Sequence, residues 1–258
     1  MYSEFSVMVE YNVNALLNQL TVENFDSVSD KIISWTNKSE DEKDARTLFW
    51  ITKLVFERSM EEATSEAGAR LCKKMTEHIS PKIQNDGFRD PEGKPIPGGQ
   101  LFRKFLLNRC QENFEREWVA KDEALQVSGE LKGEQANSMD ATPTQLEQAK
   151  RHRLRVIRFI GELFKVGVVT ERVVHKCVQK LLSNVDNEGD IEIVCELFTA
   201  VGSILDTQKA KAHMDVYFSR MIEITRKPSL APRLQLMLQV SSLFCECSWL
   251  TNHVQGCH

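Results

Sequence analysis

The residues with the most obvious capacity for chemistry lie near the end of the chain. Cys245-Glu-Cys247 is followed by His253, Cys257 and His258, and thiolates and imidazoles so close together are zinc ligands by type. Their spacing is not that of two C-x-x-C pairs, so the segment reads as a tail with incidental cysteines and no metal site. Gly93-Lys94-Pro95 ends like a phosphate-binding loop. Pro95, however, stands where a Ser or Thr would have to reach magnesium, and the preceding glycine spacing is wrong. The chain has no G-x-S-x-G, H-E-x-x-H or G-x-G-x-x-G, and its 6 histidines do not pair at ligand spacing. His152, within a basic cluster, reads as a surface residue rather than a base. With no nucleophile, base, metal or cofactor constellation, an enzyme is not expected.

Charge is more informative. Lys150, Arg151, Arg153, Arg155, Arg158, Lys165, Arg172, Lys176 and Lys180 fall within residues 150–180, opposed there only by Glu162 and Glu171. Such a stretch attracts phosphates by releasing counterions, without reading sequence. It is equally what a solvated helix face would show, partly paired with the polar segment before it. Aromatic interleaving is thin, because Phe159 and Phe164 fall on an apolar stripe.

The whole chain is not basic: 33 Lys and Arg face 37 Asp and Glu, for a net charge of −4 over 258 residues. Hydrophobic residues are 41% and charged residues 27%, an ordinary globular balance. Tyr11 to Val22, the longest uncharged run near the start, covers 12 residues, against about 20 for a membrane span. The early residues lack the Lys or Arg of a signal peptide, so cytoplasm or nucleus is the expected residence. Cys72, Cys110, Cys177 and Cys195 stand singly among apolar positions, as buried reduced thiols do.

The elements that must carry these residues are helical. Ile191, Val194, Cys195, Phe198, Val201 and Leu205 recur at spacings of three and four, as do Met214, Tyr217, Phe218, Met221 and Ile222. The same spacing joins Ile157, Ile160, Leu163 and Phe164; Ile51, Leu54 and Val55; and Val13, Leu16, Leu17 and Leu20. Thr21 and Thr170 are placed to begin helices. Longer breaks are expected at residues 85–100, rich in Pro and Gly, and at 119–143, which is polar. Helix pairs of about 40–47 residues mark HEAT-type arrays, and this length holds about five. The predicted fold is therefore all-α, an α-solenoid of about five antiparallel helix pairs forming a crescent, with a compact irregular bundle as the alternative.

Three stretches resemble a known family: LLNQLTVENFDSVSDKII (Leu16–Ile33), GGQLFRKFLLNRCQENFEREW (Gly98–Trp118) and RFIGELFKVGVVTERVVHKCVQKLL (Arg158–Leu182). LDTQKAKAHMDVYFSRM (Leu205–Met221) supports them. Together they resemble the middle domain of eukaryotic translation initiation factor 4 gamma, especially its fungal members, across residues 13–239. Related middle domains occur in RNA decay, nuclear cap-binding and splicing factors, but the L-F-R-K-x-L-L-N-R-C-Q string favours the translation factor. The resemblance implies a non-catalytic scaffold in the cytoplasm. It would bind the DEAD-box RNA helicase initiation factor 4A, hold it near its closed form, contact mRNA and support recruitment to the ribosome. Other initiation factors would bind through segments outside this chain. The alternatives are a related scaffold in RNA decay or nuclear mRNA processing, or a truncated regulator that sequesters the helicase.

On this resemblance Leu17, Leu20 and Phe25 match the element that docks the helicase's C-terminal lobe, and that role requires Leu20 and Phe25 to be exposed. Leu16 is assigned to the buried stripe. Arg233 matches the arginine of an S-S-R-I-x-F string that reaches the other lobe, although Pro232 precedes it here and is expected to shift the helix start. Phe218 lies in a matching aromatic string, with core packing the better reading. RNA contact is carried to the basic stretch of Lys150 to Lys180. Tyr11-Asn-Val-Asn-Ala-Leu16-Leu17 fits the pattern of cap-binding-protein ligands but is read as accidental, its leucines being used by the first helix. Residues 1–12 are unmatched, and after Gln239 the chain departs from the family. Gln239-Val-Ser241 can be encoded as a consensus splice donor, so residues 240–258 are expected to derive from a translated intron or a gene-model error, which cDNA sequencing would test.

Overall fold

The apolar stripes lie on helices in the computed structural model, which describes residues 4–130, 143–183, 188–228 and 230–241, with side chains from 7 to 115, 147 to 183, 188 to 228 and 230 to 241. In chain order these are α1 (Glu4–Gln19), α2 (Phe25–Asn37), α3 (Arg46–Ser59), α4 (Ser65–His78), α5 (Gly98–Glu130), α6 (Pro143–Lys165), α7 (Glu171–Ser183), α8 (Glu188–Leu205) and α9 (Lys211–Thr225). A further helix, α10, covers residues 232–241. Arg89 and Pro95 form an isolated antiparallel bridge and belong to no strand. The protein is all-α, and among the described residues ten α-helices follow one another.

The chain divides into two compact units, Met1–Phe159 and Ile160–His258. In unit 1, α1 packs on α2 and on α3, α3 packs on α4 and on α5, and α2 packs on α4. First helices of successive pairs thus lie side by side, as do second helices, which is HEAT-type stacking. Its core includes Val9, Val13, Ile32, Leu48, Val55, Leu71, Met75, Leu101, Phe102 and Leu106. Phe56 meets Phe159 edge-on, with ring centroids 5.7 Å apart. Buried hydroxyls are satisfied locally: Thr36, Thr52 and Ser59 donate to the carbonyls of Ile32, Leu48 and Val55, four residues earlier, at 2.8, 2.7 and 2.6 Å. In unit 2, α7 packs on α8 and α9, and all six residues read as the α8 stripe are buried.

Several sequence readings are corrected. Leu17 is buried and Leu16 half-buried, the reverse of the assignment. Ile222 is exposed, and Ile224 takes its place below Met214, Tyr217 and Met221. Both corrections follow from a helical period of about 3.6, which fixes the face only to within one residue when apolar residues are adjacent. Residues 98–100 and 119–130 are helical, part of α5, rather than loop. Residues 131–142 lie outside the described residues, as do Cys245, Cys247, His253, Cys257 and His258.

Cys72, Cys110, Cys177 and Cys195 are buried and form no disulfide. Burial pushes the Cys195 thiol up to about 11, and pushes Cys72 well above the ordinary thiol range. The thiolate is the nucleophile, so native protein treated with iodoacetamide near neutral pH should leave both unlabelled until denaturant is added. Rapid native alkylation of either, read by peptide mass spectrometry, would contradict this packing.

Candidate functional site

The turn between α1 and α2 is built by Asn24. Its side-chain N–H donates to the Gln19 carbonyl at 2.7 Å, and its side-chain oxygen accepts from the Thr21 N–H at 2.7 Å. The Thr21 hydroxyl accepts the Asn24 N–H at 3.4 Å. Thr21 therefore helps set the corner, while α2 itself begins at Phe25.

This corner turns the expected docking residues inward. Leu17, Leu20 and Phe25 are 2%, 9% and 6% exposed. The exposure expected of Leu20 and Phe25 is thus overturned: α1 points Val9, Val13, Leu17 and Leu20 at its neighbours, and Phe25 opens the buried stripe of α2. The Arg70 guanidinium and the Lys74 ammonium lie over the Phe25 ring, 4.5 and 5.7 Å from its centroid. Lys74 is held by Asp30 at 2.7 Å and Asp26 at 3.2 Å. Its hydrogen bond to Asp30, and then that to Asp26, raise its pKa above the ordinary lysine value. The apolar side chain that the corner gives to solvent is Val22, 66% exposed. Sequence reasoning passed it over, although an apolar residue off every stripe, between Thr21 and Glu23, was the available signal.

In unit 2, Pro232 is the first helical residue of α10, where a missing N–H is harmless. It starts the helix rather than disturbing it, and the Ala231 carbonyl accepts from Leu234 and Gln235 at 2.9 and 3.1 Å. One residue on, the Arg233 side chain is 74% exposed and donates to Glu192 of α8 at 2.8 Å. Phe218 is half-buried, its ring 5.7 Å from Phe198.

The basic stretch is shared between the units. Lys150, Arg151, Arg153, Arg155 and Arg158 belong to unit 1; Lys165, Arg172, Lys176 and Lys180 belong to unit 2. Arg151 pairs with Glu147 at 3.0 Å, Arg158 with Glu62 at 2.8 Å and Lys165 with Glu162 at 2.8 Å. Arg158 is therefore tied to the α3–α4 connection. Arg155, Arg172, Lys176 and Lys180 are exposed, the last three on the face of α7 opposite buried Val174, Cys177, Val178 and Leu181. Phe159 is buried and Phe164 half-buried, so neither offers a free stacking face.

These features define an all-α helical-repeat protein whose candidate sites are exposed side chains on helix faces and corners. Among the described residues no helix is long and apolar enough to cross a membrane. The family model of the MIF4G domain matches residues 10–248, and the chain belongs to this family. The match begins before Val13 and runs past Gln239. The chain is 40% identical over 235 residues to eukaryotic translation initiation factor 4 gamma of Schizosaccharomyces pombe, covering 90% of this chain and 16% of that protein. It is 33% identical over 245 residues to human eukaryotic translation initiation factor 4 gamma 3, covering 93% and 14%. With Arabidopsis thaliana eukaryotic translation initiation factor 4G the identity is 34% over 229 residues, covering 88% and 12%. The chain thus spans less than a fifth of each of these relatives and is homologous to their middle domains. The solved MIF4G domain of the Trypanosoma cruzi translation initiation factor EIF4G5 shares the fold, with a TM-score of 0.60 at 15% identity over 95% of this chain and 98% of that one.

Proposed function

We propose that this chain acts as the middle-domain scaffold of a translation initiation factor. It binds the DEAD-box RNA helicase initiation factor 4A and contacts mRNA without catalysing a reaction itself. The observation that carries this reading is the 40% identity to the fission-yeast initiation factor, sustained over 90% of the chain. A scaffold that binds the near-closed helicase better than the open form shifts the population toward the closed form, which is how binding alone stimulates unwinding. Such a role places the protein in the cytoplasm, with further initiation factors engaged through segments outside this chain.

The helicase's C-terminal lobe is assigned to the α1–α2 corner, where exposed Val22 takes the apolar contact role that buried Leu17, Leu20 and Phe25 do not offer. The other lobe is assigned to Arg233, with Phe218 supporting it from α9. RNA contact is assigned separately within each unit: to exposed Arg155 in unit 1, with Lys150, Arg151, Arg153 and Arg158 contributing field and partly paired charge, and to Arg172, Lys176 and Lys180 in unit 2, with Lys165. Exposure of Val22 and Arg233 supports their use as probes, since surface changes of this kind alter stability by about 0.5 kcal/mol or less.

The test is a pull-down of purified helicase by the 258-residue chain, beside Val22→Asp and Arg233→Ala. A charge at an apolar contact should cut binding about 30-fold, the scale of a 2 kcal/mol hot spot. Arg233→Ala should cut it about tenfold, and thermal melts of both should match the wild type. Wild-type retention by both folded variants would remove these sites. A folded wild-type chain that captures no helicase would overturn the reading in favour of a related scaffold with another partner.

A further inference from the structure

Three phenylalanines meet at one surface recess of unit 1. Phe49 comes from α3, Phe88 from the 85–97 connection and Phe105 from α5. Phe105 is buried and stands edge-on to both others, 5.5 Å from Phe49 at 86° and 5.5 Å from Phe88 at 84°. Phe49 remains 39% exposed, with the Arg109 guanidinium 5.0 Å from its centroid. Lys104 lies 4.6 Å over Phe88. Asn108, exposed on α5, lines this recess and also an open groove bordered by Gln100, Arg103, Lys104 and Arg89.

The connection is built to hold this arrangement. Asp90 accepts the Glu92 and Lys94 N–H groups at 2.9 and 2.8 Å, and Gly93 takes a left-handed φ of 81° to close the turn. The Asn85 side-chain oxygen accepts the Gly87 N–H at 2.8 Å. These bonds occupy Asp90, and Arg46 occupies Asp44 at 3.0 Å, so two of the recess and groove carboxylates are already engaged. Glu112 is the third, at the α5 end. Arg89 spends its hydrogen bond on the uncharged Gly93 carbonyl, 3.0 Å away, and keeps its charge.

We propose that this recess and groove form a second RNA contact, specific for single strands, in which one unpaired base stacks on Phe49 and Arg109 while Arg89, Arg103 and Lys104 carry the adjoining phosphates. The site rests on the RNA-contact half of the function proposed above. A part-exposed ring with a guanidinium over its face gives any base a planar cation to stack on, and the Asn108 amide can both donate to and accept from a base edge. A duplex buries those faces and edges, so single strands are selected. An acidic peptide would use the cations and leave the ring and amide without purpose.

The test is fluorescence anisotropy of a short labelled oligoadenylate with the full chain across a salt series, for wild type, Phe49→Leu, Asn108→Ala, Arg103→Gln/Lys104→Gln and Arg155→Gln/Lys176→Gln. Phe49→Leu should weaken binding about tenfold with the salt slope unchanged, because stacking is lost and phosphate contacts are kept. Arg103→Gln/Lys104→Gln should lower the slope by about 1 to 2. Asn108→Ala, on the exposed face of α5, should weaken binding about threefold, which tests the site even if Phe49→Leu loosens the packing on Phe105. Wild-type affinity in both Phe49→Leu and Asn108→Ala would overturn the site. Loss confined to Arg155→Gln/Lys176→Gln would overturn it while keeping RNA contact elsewhere. No binding by wild type would overturn RNA contact altogether. Capture of a labelled oligoglutamate by wild type but not Phe49→Leu, with RNA affinity unchanged, would replace RNA by a protein partner.

Discussion

Leu20→Ala/Phe25→Ala is expected to cost unit 1 about 5 kcal/mol of stability. Emptying a buried leucine costs about 2–5 kcal/mol and a buried phenylalanine about 3–5 kcal/mol. The two sit at one corner, so their costs are not independent, and a corner can relax more than a core centre. The low end of the sum is therefore expected. Phe25 also lies beneath the Arg70 and Lys74 cations, and its loss removes that contact as well. Urea titration followed by circular dichroism measures the difference, with Val22→Ala as the exposed control. A loss below about 1 kcal/mol would mean that these side chains do not carry the corner. Reduced helicase capture by this double variant would then report unfolding as much as a lost contact, which is why Val22 and Arg233 are the informative positions for binding.

Gly99→Ala should be nearly as damaging. A methyl on Gly99 would stand 2.2 Å from the Thr76 carbonyl oxygen and 3.1 Å from its carbon. A backbone carbonyl near the end of α4 cannot turn aside as a side chain can, so α5 must move away from α4. Overpacking of this kind costs about 1–3 kcal/mol and sometimes more; about 3 kcal/mol is expected here because the obstacle is main chain. Gly98 is equally confined, its added methyl falling 2.3 Å from the Ser80 carbonyl oxygen. Gly161→Ala is the control within a helix. Its methyl would approach Val201 Cγ1 at 3.3 Å, and the gain of about 0.8–1 kcal/mol in helix propensity should roughly offset that contact. Equal urea midpoints for Gly99→Ala and wild type would show that α4 and α5 are not held at this distance. The displacement would also carry Phe105, Asn108 and Arg109 with α5, so RNA affinity should fall with stability in this variant.

The helices were legible because burial repeats along the chain. Ile191, Val194, Cys195, Phe198, Val201 and Leu205 are spaced as one face, and all six are buried. The pattern failed where apolar residues are neighbours, as with Leu16 and Leu17 or Met221 and Ile222, because two adjacent faces both satisfy the spacing. It also failed at Gly98-Gly99, read as the end of a loop. Glycine marks a turn and a close helix approach by the same absence of Cβ, and only the position of Thr76 distinguishes them.

Composition and order alone determined that this chain is helical, that its helices come in pairs, and that its cations concentrate between residues 150 and 180. These are properties of spacing along one dimension. Which residues face outward at a corner, which charges are already matched and which rings share a recess were decided by the tertiary structure. Arg158 meets Glu62 from another helix connection, and Phe49, Phe88 and Phe105 come together from three separate segments. Val22, in the turn between inward-facing Leu20 and Phe25, stays in solvent because the Asn24 hydrogen bonds bend the chain there. Exposure and pairing depend on distances through space, and local periodicity carries no record of them.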